Sequence, residues 1–229
     1  MKNILIVGGS SGIGLALVEA LQDICNIYVA NRTADTLEGK NVTHLPFDAL
    51  TDTLDGSALP EIHGLAYCPG SINLRPFKGL KPDTFSNDFD LNVLGAVRVL
   101  QSVEKNLKAA GKASVLFFST VAVQTGMPFH ASVAASKGAL EGLTRSLAAE
   151  WAPTIRVNCI APSLVNTPLA DKFLNNEAKL AKASERHPLQ RVGTAEEIAE
   201  LGIFLLSGNS NWMTGQIITV DGGIGSLKT

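Results

Sequence analysis

Three cysteines are too few and too widely spaced to staple this chain. Cys25, Cys68 and Cys159 are odd in number and show no zinc-ligand spacing. They are expected as reduced core or pocket residues of a cytosolic protein. The four histidines are scattered, which argues against a metal site. Tyrosine is scarcer still, with only Tyr28 and Tyr67. Neither sign of charge dominates: 19 Lys and Arg face 21 Asp and Glu, a net charge of −2. With a pI near 6.1, no basic field points to nucleic acid or an anionic membrane. No apolar run approaches the roughly 20 residues that span a bilayer. The opening MKNILIVGGSSG has one short apolar run broken by glycines, so it reads as a first strand and not a secretion signal.

What is present is apolar. Hydrophobic residues make up 45% of 229 residues, and the mean hydropathy is +0.19. Parallel sheets buried on both faces produce such a composition, and the length favours one domain with a full core, residues 1–229. Ile4 to Val7 reads as a strand, Gly8 to Gly14 as a glycine turn, and the apolar run from Leu15 as a helix. That order suits a dinucleotide: the turn lets the backbone approach a pyrophosphate, and the helix N-terminus faces its charge. A second strand, Asn26 to Ala30, ends in Asn31-Arg32. A neutral residue beside an Arg accommodates the 2′-phosphate of NADP, so NADP(H) is favoured over NAD(H). The crossover Ala34 to Lys40 has room for about two helical turns, and Leu50 to His63 is also short. Further strands are expected at Val42 to Phe47, Gly64 to Cys68, Val115 to Phe118 and Ile155 to Ile160, with a last one within Trp212 to Gly223. Pro82 to Ala110 reads as a long helical region and Val133 to Trp151 as a helix. Thr194 and Glu197 form a capping box.

The segment Ser114 to Trp151 carries the identification. A strand is followed by Thr120, then Val133 thirteen residues later, then Lys137. This resembles the catalytic segment of the short-chain dehydrogenase/reductase family, in which Ser or Thr, Tyr and Lys occupy those slots. Six motifs match in order along the chain, and 3-oxoacyl-acyl carrier protein reductases are the most similar in flavour. The resemblance implies a doubly wound Rossmann-type α/β fold of about seven parallel strands with helices on both faces. It implies a cofactor cradle at Gly8, Ser10, Ser11, Gly12, Ile13 and Gly14, with Asn31 and Arg32 at the ribose and Asp48 at the adenine. Gly70 keeps one position of the family's Asn-Asn-Ala-Gly, where this chain reads Tyr67-Cys68-Pro69-Gly70. Tyr67 is expected to pack near the adenosine half. Pro162, Val165 and Thr167 inherit contacts to the nicotinamide side, with Ser163 replacing the family's Gly. A lid over about residues 169–187 is expected, with Phe173, Leu174 and Leu180 on one side.

By position, Asn92, Thr120, Val133 and Lys137 inherit the catalytic slots, and Lys137 also the ribose hydroxyls. Val133 has no proton to give. The reading that results is an NAD(P)(H)-dependent oxidoreductase of a carbonyl or alcohol, with Lys137 protonating the substrate oxygen through a water; His130 is a second candidate donor. The alternatives are a cofactor-binding or partner subunit without turnover, and a non-redox isomerase, dehydratase or cyclase. The implied partners are a small-molecule substrate and further copies of the chain in a homodimer or homotetramer, or an active relative in a hetero-oligomer. Nucleic acid and membrane are not among them, and the implied location is the cytoplasm.

Overall fold

The first strand, β1 (Lys2–Val7), sends Leu5 and Val7 into one core and Ile4 and Ile6 into another, as the two-residue period of a strand requires. The computed structural model, which describes residues 1–228, continues with α1 (Gly12–Leu21), β2 (Cys25–Asn31), β3 (Val42–Pro46) and β4 (Gly64–Tyr67). Next come α2 (Pro82–Phe89), α3 (Gly95–Ala109), β5 (Ala113–Phe118), α4 (Ala122–Thr125), α5 (Ala131–Trp151) and β6 (Ile155–Pro162). The chain ends through β7 (Val165–Asn166), α6 (Asp171–Leu174), α7 (Glu177–Glu185), β8 (Gly193–Thr194), α8 (Ala195–Leu206) and β9 (Ile217–Val220).

Seven strands form one parallel sheet in the order β3-β2-β1-β4-β5-β6-β9. One face is covered by α3 and α5 through Val99, Leu100, Val103, Leu107, Leu140 and Trp151. The other is covered by α1 and α8 through Leu17, Val18, Leu21, Ile198, Ala199 and Leu205. Such strands are apolar on both faces, which accounts for the composition. Among the described residues, no helix is long and apolar enough to cross a membrane.

Two departures from the sequence reading matter. The β2–β3 crossover holds only a single 3-10 turn, Asp35–Leu37, in place of two helical turns. Thr36 Oγ1 donates to Ser10 O at 2.8 Å, which draws the crossover against the glycine turn. The long helical region is not uniform either: a π turn, Asp90–Leu94, separates α2 from α3. At the far end, only Ile217–Val220 of the expected last stretch is strand, and Trp212 stands in a loop, 99% exposed.

The π turn is fixed from below by Tyr67. This phenol is fully buried in the α3/α5 core and donates to Leu91 O at 2.6 Å. It does not pack on the adenosine half as expected. Burial also holds its pKa well above the ordinary phenol value. A Cβ on Gly95 would sit 2.2 Å from Tyr67 Oη, so only Gly allows α3 to start there. Tyr67→Phe should therefore lower unfolding free energy by about 1–2 kcal/mol, because the Leu91 carbonyl is left without its buried partner. Urea denaturation checks this, and an unchanged midpoint would mean that the carbonyl is satisfied otherwise.

Candidate active site

β1 pairs with β2 on one side and β4 on the other, and Val7 lies opposite Tyr67. The chain therefore leaves the sheet at Gly8 and Cys68 side by side, where the strand order reverses. Open α/β sheets bind ligands at this place. Two adjoining cavities open there. One, of about 650 Å³, runs from the glycine turn to the end of β3. The other, of about 440 Å³, lies beneath α6 and α7. Ile13, Cys68, Gly70, Thr167 and Leu169 line both.

The first cavity has the features a dinucleotide requires. Gly12 adopts φ +51°, and a Cβ on Gly14 would stand 2.2 Å from Gly8 O. Ser11 begins α1 in extended conformation, without a side-chain cap, and the first turn holds no acid. The bare N-terminus of this ten-residue helix thus faces the cavity that Gly8, Ser10, Ser11, Gly12, Ile13 and Gly14 line, a ready site for a diphosphate. Asn31, Arg32 and Asp48 line its far end. Asn31 Oδ1 is buried without a partner, and the Arg32 side chain is exposed. An orphaned acceptor fits a ribose hydroxyl, and the exposed guanidinium beside it fits an anion.

The second cavity collects Thr120, Val133, Lys137, Gly70, Pro162, Val165 and Thr167. Thr120 Oγ1 accepts from Ala122 N at 3.3 Å, which leaves its hydrogen free to donate. Val133 is 4% exposed and fills the wall where an acid would stand. Lys137 donates to Phe118 O at 2.7 Å, and burial pulls its pKa down to about 8. Asn92 is fully buried behind Gly70: a Cβ there would lie 3.4 Å from Lys137 Nζ and 3.5 Å from Asn92 Oδ1. Asn92 Nδ2 donates to Ser136 Oγ at 3.0 Å and Ser71 Oγ at 3.3 Å, while its Oδ1 has no partner. Ser71 and Asn73 in turn donate to the buried Asp88 at 2.6 and 2.7 Å. The π turn makes this possible, because it carries Asn92 into the interior.

His130 also lines this cavity, and its Nδ1 donates to Pro128 O at 2.7 Å. A carbonyl only accepts, so Nε2 of the neutral ring is an acceptor. Sequence reading missed two groups. His187, 4% exposed, places Nδ1 against Ala183 O and Nε2 against Ser163 Oγ, each at 2.8 Å. Ser163 in the glycine slot was the visible half of that pair. Ser119 donates to the buried Glu141 at 2.7 Å, a contact between strand end and helix that no local pattern announces. Of the side chains expected on one side of the lid, Leu180 is 40% exposed. Among the described residues, no group of three or more His, Cys, Asp or Glu converges as a metal site.

Fold and cavities define a dinucleotide-binding α/β protein. Comparison with known proteins narrows the class. Residues 47–225 match the family model described as enoyl-(acyl carrier protein) reductase. A tropinone reductase homologue of Arabidopsis thaliana is 32% identical over 97% of this chain and 92% of its own length. A short chain dehydrogenase family protein from Francisella tularensis superposes with a TM-score of 0.90 at 30% identity, over 99% of this chain and all (100%) of its own. A gluconate 5-dehydrogenase from Burkholderia cenocepacia, solved with NADP and tartrate, gives 0.89 at 27% identity, over 99% and 96%. The chain belongs to the short-chain dehydrogenase/reductase family, whose members are oxidoreductases.

Lys137 gives a stability test of this site. Burial lowers its pKa from 10.5 to about 8. Between those values the unfolded chain holds a proton that the folded chain has released, so this group makes stability rise with pH across that window. Lys137→Met should abolish the rise. Cys68 and Cys159, raised to about 12 by burial, act oppositely above pH 9 in both proteins. The quantity to read is therefore the wild-type minus variant difference in urea unfolding free energy, and a difference flat from pH 7 to 11 would contradict the shift.

Proposed function

We propose that this protein is an NADP(H)-preferring oxidoreductase of a carbonyl or alcohol, in which Lys137 supplies the proton that tyrosine gives elsewhere. The observation that carries this is one buried ammonium, with its pKa brought to about 8, opening into the cavity that also holds Thr120 and Val133. The cofactor, when bound, supplies hydride to the carbonyl carbon. Thr120 donates a hydrogen bond to the carbonyl oxygen. Lys137 delivers its proton to that oxygen through a water held beside Val133, and holds the ribose hydroxyls. Asn92 presents its free Oδ1 toward the Lys137 side of Gly70, where it steadies the proton path. Gly8, Ser10, Ser11, Gly12, Ile13 and Gly14 cradle the diphosphate, Asp48 meets the adenine, and Arg32 takes the 2′-phosphate. Pro162, Val165 and Thr167 hold the nicotinamide side. Residues 1–229 act as one dinucleotide-binding domain with a lid over about 169–187, working in the cytoplasm.

Assembly as a homodimer or homotetramer is part of the same reading. Apolar side chains stand exposed beside the π turn, Phe89 at 40% and Leu94 at 38%. β9 ends the sheet, with an unpaired edge.

Two outcomes test the proposal. Equilibrium binding by nicotinamide fluorescence should favour NADPH over NADH, and Arg32→Ala should cut that preference about tenfold, the worth of one charge-assisted contact. Equal binding of both cofactors to the wild type would remove the NADP reading, and binding of neither would remove the redox reading. In turnover, Lys137→Met should lose about 10²–10⁴ in rate, and the wild-type reduction rate should fall as pH rises through about 8, where Lys137 loses its proton. Unchanged turnover in Lys137→Met would overturn its role.

A further inference from the structure

The helix α7 sets a row of cations at the mouth of the second cavity. Lys179, Lys182 and Ala183 of α7, with Arg186 and His187 just past its end, line that cavity. Ala183 and His187 are buried, at 8% and 4% exposure, whereas Lys179, Lys182 and Arg186 are exposed, so their charges stand at the rim. From α6, Lys172 lines the same cavity.

These cations are not neutralised from within. Lys172 Nζ is held by Ile72 O at 2.6 Å, and Lys179 Nζ by Lys172 O and Asn175 Oδ1 at 2.9 and 2.8 Å. None of these partners is charged. Among the described residues, Lys182 and Arg186 make no side-chain hydrogen bond or ion pair, and the cavity wall contains no Asp or Glu. Five cations with Lys137 and no carboxylate line one pocket of a protein whose net charge is −2. Each pair in open water is worth only about 1 kcal/mol, but a cleft with low-dielectric walls sums and focuses such charges. The deeper wall is apolar, with Leu74, Met127, Val133 and Leu164.

We propose that the substrate is an organic anion: an apolar body bearing the carbonyl or alcohol, with a carboxylate or phosphate that docks on the Lys179, Lys182 and Arg186 face. This rests on the reading that the second cavity takes the carbonyl or alcohol substrate. The cations do not serve the cofactor diphosphate, because none of them lines the cavity of the glycine turn.

The test uses the NADPH-loaded full chain, which cannot oxidise an alcohol, and two matched probes, 3-hydroxyoctanoate and its methyl ester. Calorimetric binding should favour the acid at least about tenfold, and raising salt should weaken the acid and not the ester. Lys182→Ala with Arg186→Ala should erase the preference while the NADPH dissociation constant stays unchanged. Lys182→Arg should retain it. 3-Hydroxyoctanoyl-coenzyme A distinguishes the anions: if it binds more tightly than the free acid and loses more in the double variant, phosphate is the recognised group. Equal binding of acid and ester, or a double variant that weakens the cofactor instead, overturns the proposal. Binding is read without turnover, so acid-selective binding with no redox activity would remove the oxidoreductase reading alone. Turnover of neutral ketones with no preference for anions would remove this inference alone.

Discussion

The pairing of β1 with β4 is the constraint on which the rest depends. Val7 and Tyr67 sit opposite each other at the ends of these strands, so two loops must part at one point on the sheet rim. Gly8 N donates back to Ala30 O, and Cys68 N to Val7 O, at 2.8 and 2.9 Å. These bonds hold both loops close to the strands before they diverge. Every candidate site residue but Asn92, which stands behind Gly70, lines one of the two cavities that open there. The sheet buries its strands on both faces, so the rim is also where the chain can place polar groups without cost to the core.

The polar interior behind Gly70 departs from that economy. Asp88, Asn92, Ser136 and Lys137 are all buried, in a region of α2, the π turn and α5. Ordered donors satisfy only part of it: Asp88 Oδ2, Asn92 Oδ1 and Ser132 Oγ remain without partners. Buried polar atoms left open are expensive in a purely structural network. The open Asn92 Oδ1 on the Lys137 side of Gly70 supports the proton path proposed for that ammonium.

Much of this was legible in the chain. Short continuous apolar runs gave the strands, and the glycine turn and the Thr120–Val133–Lys137 spacing placed the two cavities. What was not legible depended on distant contacts. Tyr67 reads locally as a residue at the cofactor rim, and its burial follows from Gly95, 28 positions on. The crossover at 35–37 has a helix-permitting composition, yet a hydrogen bond to Ser10 O holds it to one turn. His187 became visible only when the chain folded it onto Ser163.

The π turn has a consequence for how this family member can vary. A helix advances about 100° per residue, and the widened turn at Asp90–Leu94 shifts the phase of α3 relative to α2. That shift lets Asn92 point inward while Val99, Leu100, Val103 and Leu107 still meet the sheet. Removing a single residue between 90 and 94 would put these two faces out of step, whatever the replaced side chains were. The segment is thus fixed in length as well as at the buried Asn92 and Val93. The crossover at 34–40 is anchored at Thr36 and at the buried Leu37, so insertions in descendants of this chain should fall after Leu37, where Gly39 borders open space, and avoid the middle of the helix.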